Sequence, residues 1–478
     1  MARKRIASTR SLHKHRARLA GQIVSGVLSS SASYVGTVVR LLAKGQLTAL
    51  ARYVRVQGES LHEPYNLNED PGLLPDPERS LRAHRNNLWH AAYRGNFTDA
   101  VSFFAQADSL EDSAIRAQGL EPGDLRLLGG SITASIGHSA VGLAARARLS
   151  AFGQNPTDRY LLLSGGAANV EYLRFWSRYF PLVETSAAES RAIEHAFWPM
   201  MEGFHTVRTN DGSIDVRTID SQTAIQWEAE GREPLLRLEE QDFERGYAPL
   251  AKFGLARSDW FVCLHIRQSP VDKPGYARNA AVESYIPAIN SITEAGGFVM
   301  RIGADHTTPL PTQDRVIDLA HHKPYEPWLD VFSIAASRFM IATTSGPMHV
   351  APTFGVPVLA TNQTAIGTAG YLAQSLVLPK RMQLGDAAPL NQRQMLASLL
   401  GFSGSYIQDL TDEQGRSGYH WVDNSAQEIK AGVQEMLAGW QAQESDKQAA
   451  WRQGLIEAGN PGSSRIAQSF LDLNPDLL

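Results

Sequence analysis

The chain has 478 residues, of which 43% are hydrophobic and 20% are charged, and its formal net charge is -4 at pH 7. This length predicts two or three folded domains, and the composition is that of a globular protein rather than a disordered or fibrous one. The single cysteine, Cys263, excludes an internal disulfide and a cysteine-based zinc site. The scarcity of cysteine fits a cytoplasmic protein, and the sequence has no run of 18 or more apolar residues that would predict a membrane-spanning helix.

The N-terminal segment, residues 1–63, is predicted to be a basic arm. No acidic residue precedes Glu59, whereas Lys and Arg are frequent in the first 18 positions, and apolar residues from Ile23 to Leu42 recur at helical spacing. Two interpretations stay open: a solvated tail leading into a packing helix, or an amphipathic helix in peripheral contact with an anionic membrane at its inner face. Nothing else in the sequence indicates nucleic-acid binding.

Residues 64–123 are predicted to be a linker followed by a helical adapter. Pro64–Pro77 contains four prolines, which favours an irregular connection. Two short helices, Leu88–Tyr93 and Thr98–Ala105, are expected after it. Their pattern is similar to half of a tetratricopeptide hairpin, but no second copy follows at a fixed period.

From Asp124 onward, short apolar runs alternate with Gly-rich turns and longer mixed segments. This alternation is typical of parallel sheets with crossover helices. We therefore expect an α/β protein with two Rossmann-like domains facing a cleft, over residues 124–254 and 255–425, followed by C-terminal helices over residues 426–478. The predicted strands are Leu125–Ile136 with its turn, Tyr160–Leu163, Trp260–Ile266, Phe298–Ile302, Val316–Leu319, Phe339–Ala342 and Val356–Ala360. The predicted helices are Val141–Ala151, Val170–Phe180, Glu283–Ala295, Trp328–Ala336, Pro347–Phe354 and Ile429–Trp440.

In the first domain, Gly129, Gly130, Gly137 and His138 are predicted to form a flexible turn after the first strand. His138 is a candidate catalytic base, because histidine can take a proton from an acceptor hydroxyl near neutral pH. A packing or capping role for this histidine is the alternative. Asn169 is a candidate contact to the acceptor or the sugar.

In the second domain, the strand at Trp260–Ile266 ends in alternating polar residues, His265 and Arg267. Ligands of parallel sheets collect at the carboxyl ends of the strands. An Arg fork at such an end can pair bidentately with phosphate oxygens, so both residues are candidates for donor binding. A structural salt bridge of Arg267 is the alternative.

Four residues further along the chain are also candidates for the site. Arg278 and Asn279 precede a predicted helix and are candidate contacts to the acceptor or the sugar. Arg301 and Gly303 end the next strand, and Gly303 permits close approach of a ligand to the backbone. Arg301 lies between apolar residues, so it is either paired in the interior or turned to a donor, because burying it unpaired would be costly.

The most informative segment is Thr343–Asn362, which reads TTSGPMHVAPTFGVPVLATN. A turn, a helix over Pro347–Phe354 and a strand are expected. Proline suits the first position of a helix, and the free N–H groups of a helix start favour an anion such as a diphosphate. The candidate donor-binding residues here are Thr344, Ser345, Gly346 and His349. A structural role for the histidine at the sheet edge is the alternative.

The segment SGPMH resembles the nucleotide-binding part of heptosyltransferases. The strand end HIR is similar to that of fucosyltransferases that use a guanosine nucleotide sugar, where the Arg serves the diphosphate. The order of SIGHSAVG, HIRQSP, YARNAAVESYIPAI, GGFVMRIGAD and GVPVLATN resembles a bacterial glycosyltransferase family with a GT-B-like fold, over residues 125–440. This resemblance implies that the second domain binds a nucleotide sugar and the first binds the acceptor.

The sequence therefore predicts an inverting, metal-independent glycosyltransferase. Its donor would be a nucleotide sugar, with GDP favoured over UDP, and its acceptor a glycan, a lipid-linked glycan or a protein. No separate cofactor and no metal site are expected, because no Asp-x-Asp pair ends an apolar strand. A sugar-nucleotide 2-epimerase and a non-catalytic nucleotide-binding module are the alternatives. A dehydrogenase is disfavoured, because no G-x-G-x-x-G motif follows a strand.

Overall fold

The computed structural model describes residues 108–117, 121, 125–154, 158–163, 166–186, 189–190, 193–194, 200–209, 212–268, 278–364, 372–397, 419–439, 443–457 and 465–478. The predicted basic arm, the linker and the two predicted adapter helices lie outside these residues. Within the described ranges, no helix combines the length and the apolar character that crossing a bilayer requires.

The smaller sheet consists of β1 (Leu125–Leu128), β2 (Asp158–Leu163), β3 (Leu182–Glu184) and β4 (Met201–Glu202). All its pairings are parallel, and the spatial order is β3-β2-β1-β4. Successive residues of β2 enter different apolar cores, with Leu161 and Leu163 on one face and Leu162 on the other. Strands covered on both faces are typical of parallel sheets.

Among the described residues, the helices beside this sheet include α1 (Gly130–Thr133), α2 (Ile136–Ala151), α3 (Val170–Phe175) and α4 (Val216–Ala229). An antiparallel pair, β5 (Thr206–Thr209) and β6 (Gly212–Asp215), connects β4 to α4. Residues 108–117 form a further helix before β1. Helix α5 (Glu240–Leu250) then leads into the second sheet.

The larger sheet has seven parallel strands. They are β7 (Phe261–His265), β8 (Phe298–Ile302), β9 (Val316–Asp318), β10 (Met340–Ala342), β11 (Val358–Gln363), β12 (Leu376–Pro379) and β15 (Arg465–Ile466), in the spatial order β15-β12-β11-β10-β7-β8-β9. The chain order reverses between β7 and β10, as in doubly wound nucleotide-binding folds. A separate antiparallel pair is formed by β13 (Arg381–Leu384) and β14 (Tyr419–Val422).

Helices cover this sheet as well. They are α6 (Ile286–Glu294), α7 (Pro327–Ala335), α8 (Gln392–Ala397), α9 (Ala426–Ala438), α10 (Asp446–Glu457) and α11 (Gln468–Leu473). Short 3-10 segments lie at Val282–Tyr285, Leu319–His321, Gly346–His349 and Ala351–Phe354. In α9, Ser425 and Glu428 form a capping box that defines the start of the helix.

One apolar core is shared by the two sheets. It contains Leu128 and Leu161 from the smaller sheet together with Cys263 and Met340 from the larger one. Across this core, the ring of Phe175 stacks on that of Trp328, with centroids 6.1 Å apart. A second core lies on the opposite face of the larger sheet, where α6, α9 and α11 pack.

The predicted α/β class with parallel sheets is confirmed, and both strand orders are Rossmann-like. The division into domains at the predicted boundaries stays a prediction. The region 426–478, predicted to be helical, also contributes one strand, β15, which extends the larger sheet. The predicted strands did not include β3 or β4, because two or three residues are too few for a periodic pattern.

Two predicted elements are wrong in detail. The helix expected over Pro347–Phe354 consists of two 3-10 segments, because Pro352 has no N–H to donate to the carbonyl of Met348. Helix α2 begins at Ile136, so Gly137 and His138 lie in its first turn and not in a flexible loop. Both differences affect residues of the predicted site.

Candidate functional site

Each sheet has one point where the order of its strands reverses, between β1 and β4 and between β7 and β10. Open α/β sheets bind ligands in the crevice outside the carboxyl ends of the strands at such a point. Gly129 and Gly130 follow β1, and His205 lies shortly after β4. Thr343, Thr344 and Ser345 follow β10, and Arg267 lies just after β7. These four chain segments therefore lie at the two reversal points, and they form the candidate site.

The two sets of strand ends meet at a contact between two glycines. A Cβ atom on Gly137 would lie 2.8 Å from the Cα of Gly346, and a Cβ on Gly346 would lie 3.0 Å from the backbone nitrogen of Gly137. The first turn of α2 therefore touches the 3-10 segment Gly346–His349 backbone to backbone. This contact brings His138 into electrostatic range of His349.

The imidazole of His138 is held in one orientation. Its ring stacks on Phe204, with centroids 3.7 Å apart and an interplanar angle of 5°. Its Nδ1 lies 3.1 Å from the carbonyl oxygen of Ser131. A carbonyl can only accept, so Nδ1 carries the proton and Nε2 keeps a lone pair. Burial lowers the pKa of His138, with a smaller contribution from the charge of Arg217, so the ring is a neutral potential base at pH 7.

Two more histidines lie in the same electrostatic environment. The ring of His205 is edge-on to that of His138, with centroids 6.4 Å apart. Burial and the charge of Arg217 lower the pKa of His205 to about 3 and that of His349 to about 4. We call His138, His205, Arg217 and His349 the histidine–arginine cluster. It carries one fixed positive charge and three neutral rings near pH 7.

The larger sheet contributes a polar edge beside this cluster. The backbone N–H of Arg267 donates to Oγ1 of Thr343 at 2.9 Å, which joins the ends of β7 and β10. The N–H of Ala280 donates to the carbonyl of Arg267 at 3.1 Å. That bond holds Ala280 next to Arg267, so the half-buried residues Arg278 and Asn279 directly before it lie near the same edge.

His265 ends β7 and is 9% exposed. Its Nδ1 has no hydrogen-bond partner among the described residues. Burial lowers its pKa to about 4, and the charges of Arg267 and Arg301 act in the same direction. A buried polar atom without a partner needs an explanation, and a ligand at this strand end would satisfy the nitrogen.

The predicted site residues that follow β10 and β8, namely Thr344, Ser345 and Gly303, also lie at this edge. The hydroxyl of Thr344 is 3.1 Å from Oε1 of Gln363 and accepts from the N–H of Thr364 at 3.1 Å, so it joins β10 to β11. Ser345 is buried directly before the 3-10 segment. Gly303 has a φ of 149°, in a region that favours glycine, at the end of β8.

Two predicted site residues are engaged within the fold. Arg301 is fully buried, and its terminal nitrogens donate to Thr308, to Thr307 and, at 3.1 Å, to Asp318. The structure therefore shows the interior pairing that the sequence left open. Asn169 caps α3: its Oδ1 accepts from Tyr172 and its Nδ2 donates to the carbonyl of Pro327, both at 3.0 Å.

Sequence reasoning missed several residues of this site. His205 and Arg217 flank a hairpin, and only the apolar spacing of Val216 and Ile219 indicates that a helix starts there. Lys380, buried just after β12, donates to Asp423 at 2.6 Å and to the carbonyl of Asn279 at 2.8 Å. No local pattern reveals these contacts, because their partners are distant in the chain.

Several neighbouring imidazoles can form a ligand set for zinc in proteins. Among the described residues, no three side chains of His, Cys, Asp or Glu are grouped so that they could hold a metal ion. The three imidazoles of the histidine–arginine cluster are therefore neighbours but not a ligand set.

No protein-family model matches the sequence, and no curated protein sequence matches it. Solved structures similar to this chain include a glycosyl transferase family 9 protein from Veillonella parvula DSM 2008, at 12% identity, covering 50% of this chain and 80% of that one, with a TM-score of 0.33. Another is the E. coli ADP-heptose lps heptosyltransferase II, at 12% identity, covering 61% and 98%, with a TM-score of 0.31. A third is the E. coli heptosyltransferase WaaC with ADP, at 10% identity, covering 62% and 99%, with a TM-score of 0.28.

Proposed function

We propose that this chain is a glycosyltransferase that takes a sugar from a nucleotide-sugar donor. The observation that carries the proposal is the contact of Gly137 with Gly346, which brings the reversal points of two parallel sheets together. Each reversal point is a ligand-binding position in open α/β sheets, so two substrates can meet there. The segments SGPMH and HIR, which resemble nucleotide-sugar transferases, lie at this junction.

On the donor side, Arg267 would pair with the diphosphate. A guanidinium fork matches phosphate oxygens, and its charge offsets the negative charge that grows on the leaving group. The unsatisfied Nδ1 of His265 and the turn at Ser345 and Gly346 would contact the nucleotide. We expect transfer without a metal ion, with GDP favoured over UDP because HIR is similar to the strand end of guanosine-dependent enzymes.

On the acceptor side, His138 would take the proton of the attacking hydroxyl. Its Nε2 carries the lone pair, and a neutral ring at pH 7 is the state that a base requires. Direct attack by the acceptor inverts the anomeric configuration. The acceptor would be a glycan, a lipid-linked glycan or a protein, and a location in the cytoplasm or at the inner face of the membrane fits each of them.

Donor binding is tested first by thermal unfolding with ADP, GDP, UDP and their hexose conjugates. A ligand at one hundred times its Kd stabilises the folded state by about 2.7 kcal/mol, which gives a measurable rise in Tm. We expect Arg267→Ala to lower the affinity at least tenfold, through the loss of a charge-assisted bond worth about 1.5–3 kcal/mol. Arg237→Ala, whose side chain is 68% exposed, is the matched control. Equal affinities in both variants would argue against a donor site at β7.

Measuring turnover distinguishes a glycosyltransferase from an epimerase and from a non-catalytic nucleotide-binding module. A transferase releases nucleoside diphosphate only when an acceptor fraction is present, and the reaction should persist in EDTA. We expect His138→Gln to bind the donor normally and to lose about 100-fold or more in transfer rate. Conversion of the donor sugar without an acceptor would favour an epimerase. Binding without turnover with glycan, lipid and protein fractions would favour a non-catalytic module.

A further inference from the structure

The two glycines that follow β1, Gly129 and Gly130, lie directly against the carboxylate of Glu194. The backbone N–H of Gly130 donates to Oε1 of Glu194 at 2.7 Å. A Cβ atom would lie 2.7 Å from the same oxygen at Gly129 and 3.2 Å from it at Gly130. Glycine at these two positions therefore admits the side chain of Glu194 to the first N–H of α1, where the N-cap residue makes no side-chain bond.

Hydrogen bonds run from this carboxylate through two peptide groups to His138. The peptide group between the two glycines donates its N–H to Glu194, and its carbonyl accepts from the N–H of Ile132 at 2.9 Å. The peptide group that contains the N–H of Ile132 has its carbonyl on Ser131, which lies 3.1 Å from Nδ1 of His138. We call this series of three bonds the Glu194 relay. Each of its donors points toward Glu194.

Peptide groups aligned in this way polarise one another, so a charge at one end of the series strengthens the bonds that follow. The negative charge of Glu194 makes the carbonyl oxygen of Ser131 a better acceptor. A better acceptor favours the proton on Nδ1 of His138 and holds the ring in place. In catalytic triads a carboxylate orients a histidine by direct contact. Here two peptide groups lie between the carboxylate and the imidazole.

The turn of α1 that carries the relay is fixed by contacts of its own. The carbonyl of Thr133 accepts from the N–H of Ala168 at 2.9 Å, and the hydroxyl of Ser139 on α2 donates to the carbonyl of Ile132 at 2.9 Å. Ile132 and Thr133 are buried. Loss of the charge of Glu194 should therefore weaken the relay without displacing α1.

We propose that Glu194 is a positioning residue for His138: through the two peptide groups it keeps the proton on Nδ1 and leaves the lone pair of Nε2 for the acceptor hydroxyl. This inference rests on the proposed function, because it assigns Glu194 to the proton transfer of that reaction. The O–H bond of the acceptor breaks, Nε2 takes the proton, and the oxygen pair attacks the anomeric carbon as the nucleoside diphosphate leaves. The imidazolium then donates a charge-assisted bond to Ser131, which the relay strengthens.

The test is the tautomer of His138, read from nitrogen-15 correlation spectra of the full chain labelled at histidine, at pH 7.5. The ring is neutral there, because burial lowers its pKa. His138→Gln identifies its resonances. We expect the proton on Nδ1 in the wild type, a mixture of both tautomers in Glu194→Ala, and an intermediate state in Glu194→Gln, whose amide oxygen can still accept.

Glu435 provides the matched control. It is half-buried like Glu194, and its carboxylate accepts from the first N–H groups of α11, on Gln468 at 3.0 Å and on Ser469 at 2.9 Å. Glu435→Ala should leave the tautomer of His138 unchanged. Where transfer is measured, we expect kcat to fall about tenfold in Glu194→Ala, the size of one lost hydrogen bond, with the KM of the donor unchanged.

Thermal unfolding verifies that each variant is folded. If folded Glu194→Ala keeps the proton on Nδ1 as fully as the wild type, this inference is wrong and the proposed function stands. A wild type with the proton on Nε2 would also overturn it, and so would a changed tautomer with unchanged kcat. If Glu194→Ala does not fold, Glu194→Gln decides in the same way.

One further outcome separates the inference from the proposed function. If the tautomer of His138 depends on Glu194 but the wild type transfers no sugar to glycan, lipid or protein fractions, the relay stands and the transferase proposal fails.

Discussion

At the scale of single residues, His265 combines burial with a ring nitrogen that lacks a hydrogen-bond partner. It is 9% exposed, and its Nδ1 lacks a partner within the described ranges. An unsatisfied buried donor or acceptor costs about 1–3 kcal/mol, which the fold must offset elsewhere. Under the proposed function, a nucleotide at the end of β7 would satisfy this nitrogen.

The lowered pKa of His265 predicts a specific dependence of stability on pH. Its folded-state pKa of about 4 lies below the value near 6.5 of an unfolded imidazole. Between these values the unfolded chain binds the proton and the folded protein does not, so this residue destabilises the fold as the pH falls from 6.5 toward 4. In His265→Gln, the free energy of unfolding should fall less steeply over that range, by up to about 1.4 kcal/mol per pH unit.

Urea unfolding at pH 7.5, 6.0, 5.0 and 4.5 measures this slope. The exposed His420, on β14, provides the control variant His420→Gln. The comparison uses the slope of the unfolding free energy with pH, so a loss of packing energy in His265→Gln that does not depend on pH does not affect it. Identical slopes in wild type and His265→Gln would contradict a buried, neutral imidazole.

At the scale of elements, the approach of α2 to the 3-10 segment Gly346–His349 decides the geometry of the site. Glycine inside a helix is unfavourable by about 1 kcal/mol relative to alanine, yet Gly137 lies in the first turn of α2. The backbone contact with Gly346 explains why, because any side chain there would push the two elements apart. The distance between His138 and His349 depends on that contact.

Gly137→Ala should therefore destabilise the protein although alanine is the better helix former. The new Cβ would lie 2.8 Å from the Cα of Gly346, and overpacking of this kind costs about 1–3 kcal/mol, more than the propensity gain. The matched control is Gly203→Ala, where a Cβ meets nothing within 4 Å and the expected change is within about 0.5 kcal/mol. Chemical denaturation compares the two. Equal effects would mean that the contact is not close-packed.

At the scale of the whole molecule, buried charges connect the smaller sheet to the chain around it. Glu202 on β4 pairs with Arg146 on α2 and, at 2.8 Å, with Arg159 on β2. Burial opposes ionisation of this carboxyl, but the charges of Arg159, Arg146 and Arg126 outweigh it and lower its pKa to about 2. Arg126 also pairs with Glu111 at 3.2 Å, which attaches the helix over residues 108–117 to the sheet.

Removing the charge of Glu202 should leave buried guanidinium groups without compensation. We expect Glu202→Gln to lower the free energy of unfolding by about 3–5 kcal/mol, measured by guanidinium titration at pH 7. The exposed pair of Glu239 with Arg237 provides the control, since Glu239→Gln should cost less than about 1 kcal/mol. A small effect at Glu202 would show that the arginines are hydrated rather than buried.

The sequence by itself determined the fold class and most strands of the larger sheet. Its buried strands are short runs of mostly apolar residues, because both faces of the sheet are covered, and this signal is local. The same local pattern identified the polar residues that follow β7 and β10, since polar residues become frequent where a buried strand ends. The prediction of one helix over Pro347–Phe354 was wrong, because Pro352 has no N–H for an α-helical hydrogen bond and the segment forms two 3-10 turns.

Only the tertiary structure decided which of these residues act together. His138 and His349 are neighbours because two glycines far apart in the chain allow backbone contact, and neither periodicity nor motif spacing encodes that meeting. The same holds for Arg301, whose flanking residues predict burial but not its pairing with Asp318, and for Arg217, which a short hairpin brings to the cluster. Sequence periodicity reports which residues of one strand or helix are buried, whereas the site depends on how the two sheets pack against each other.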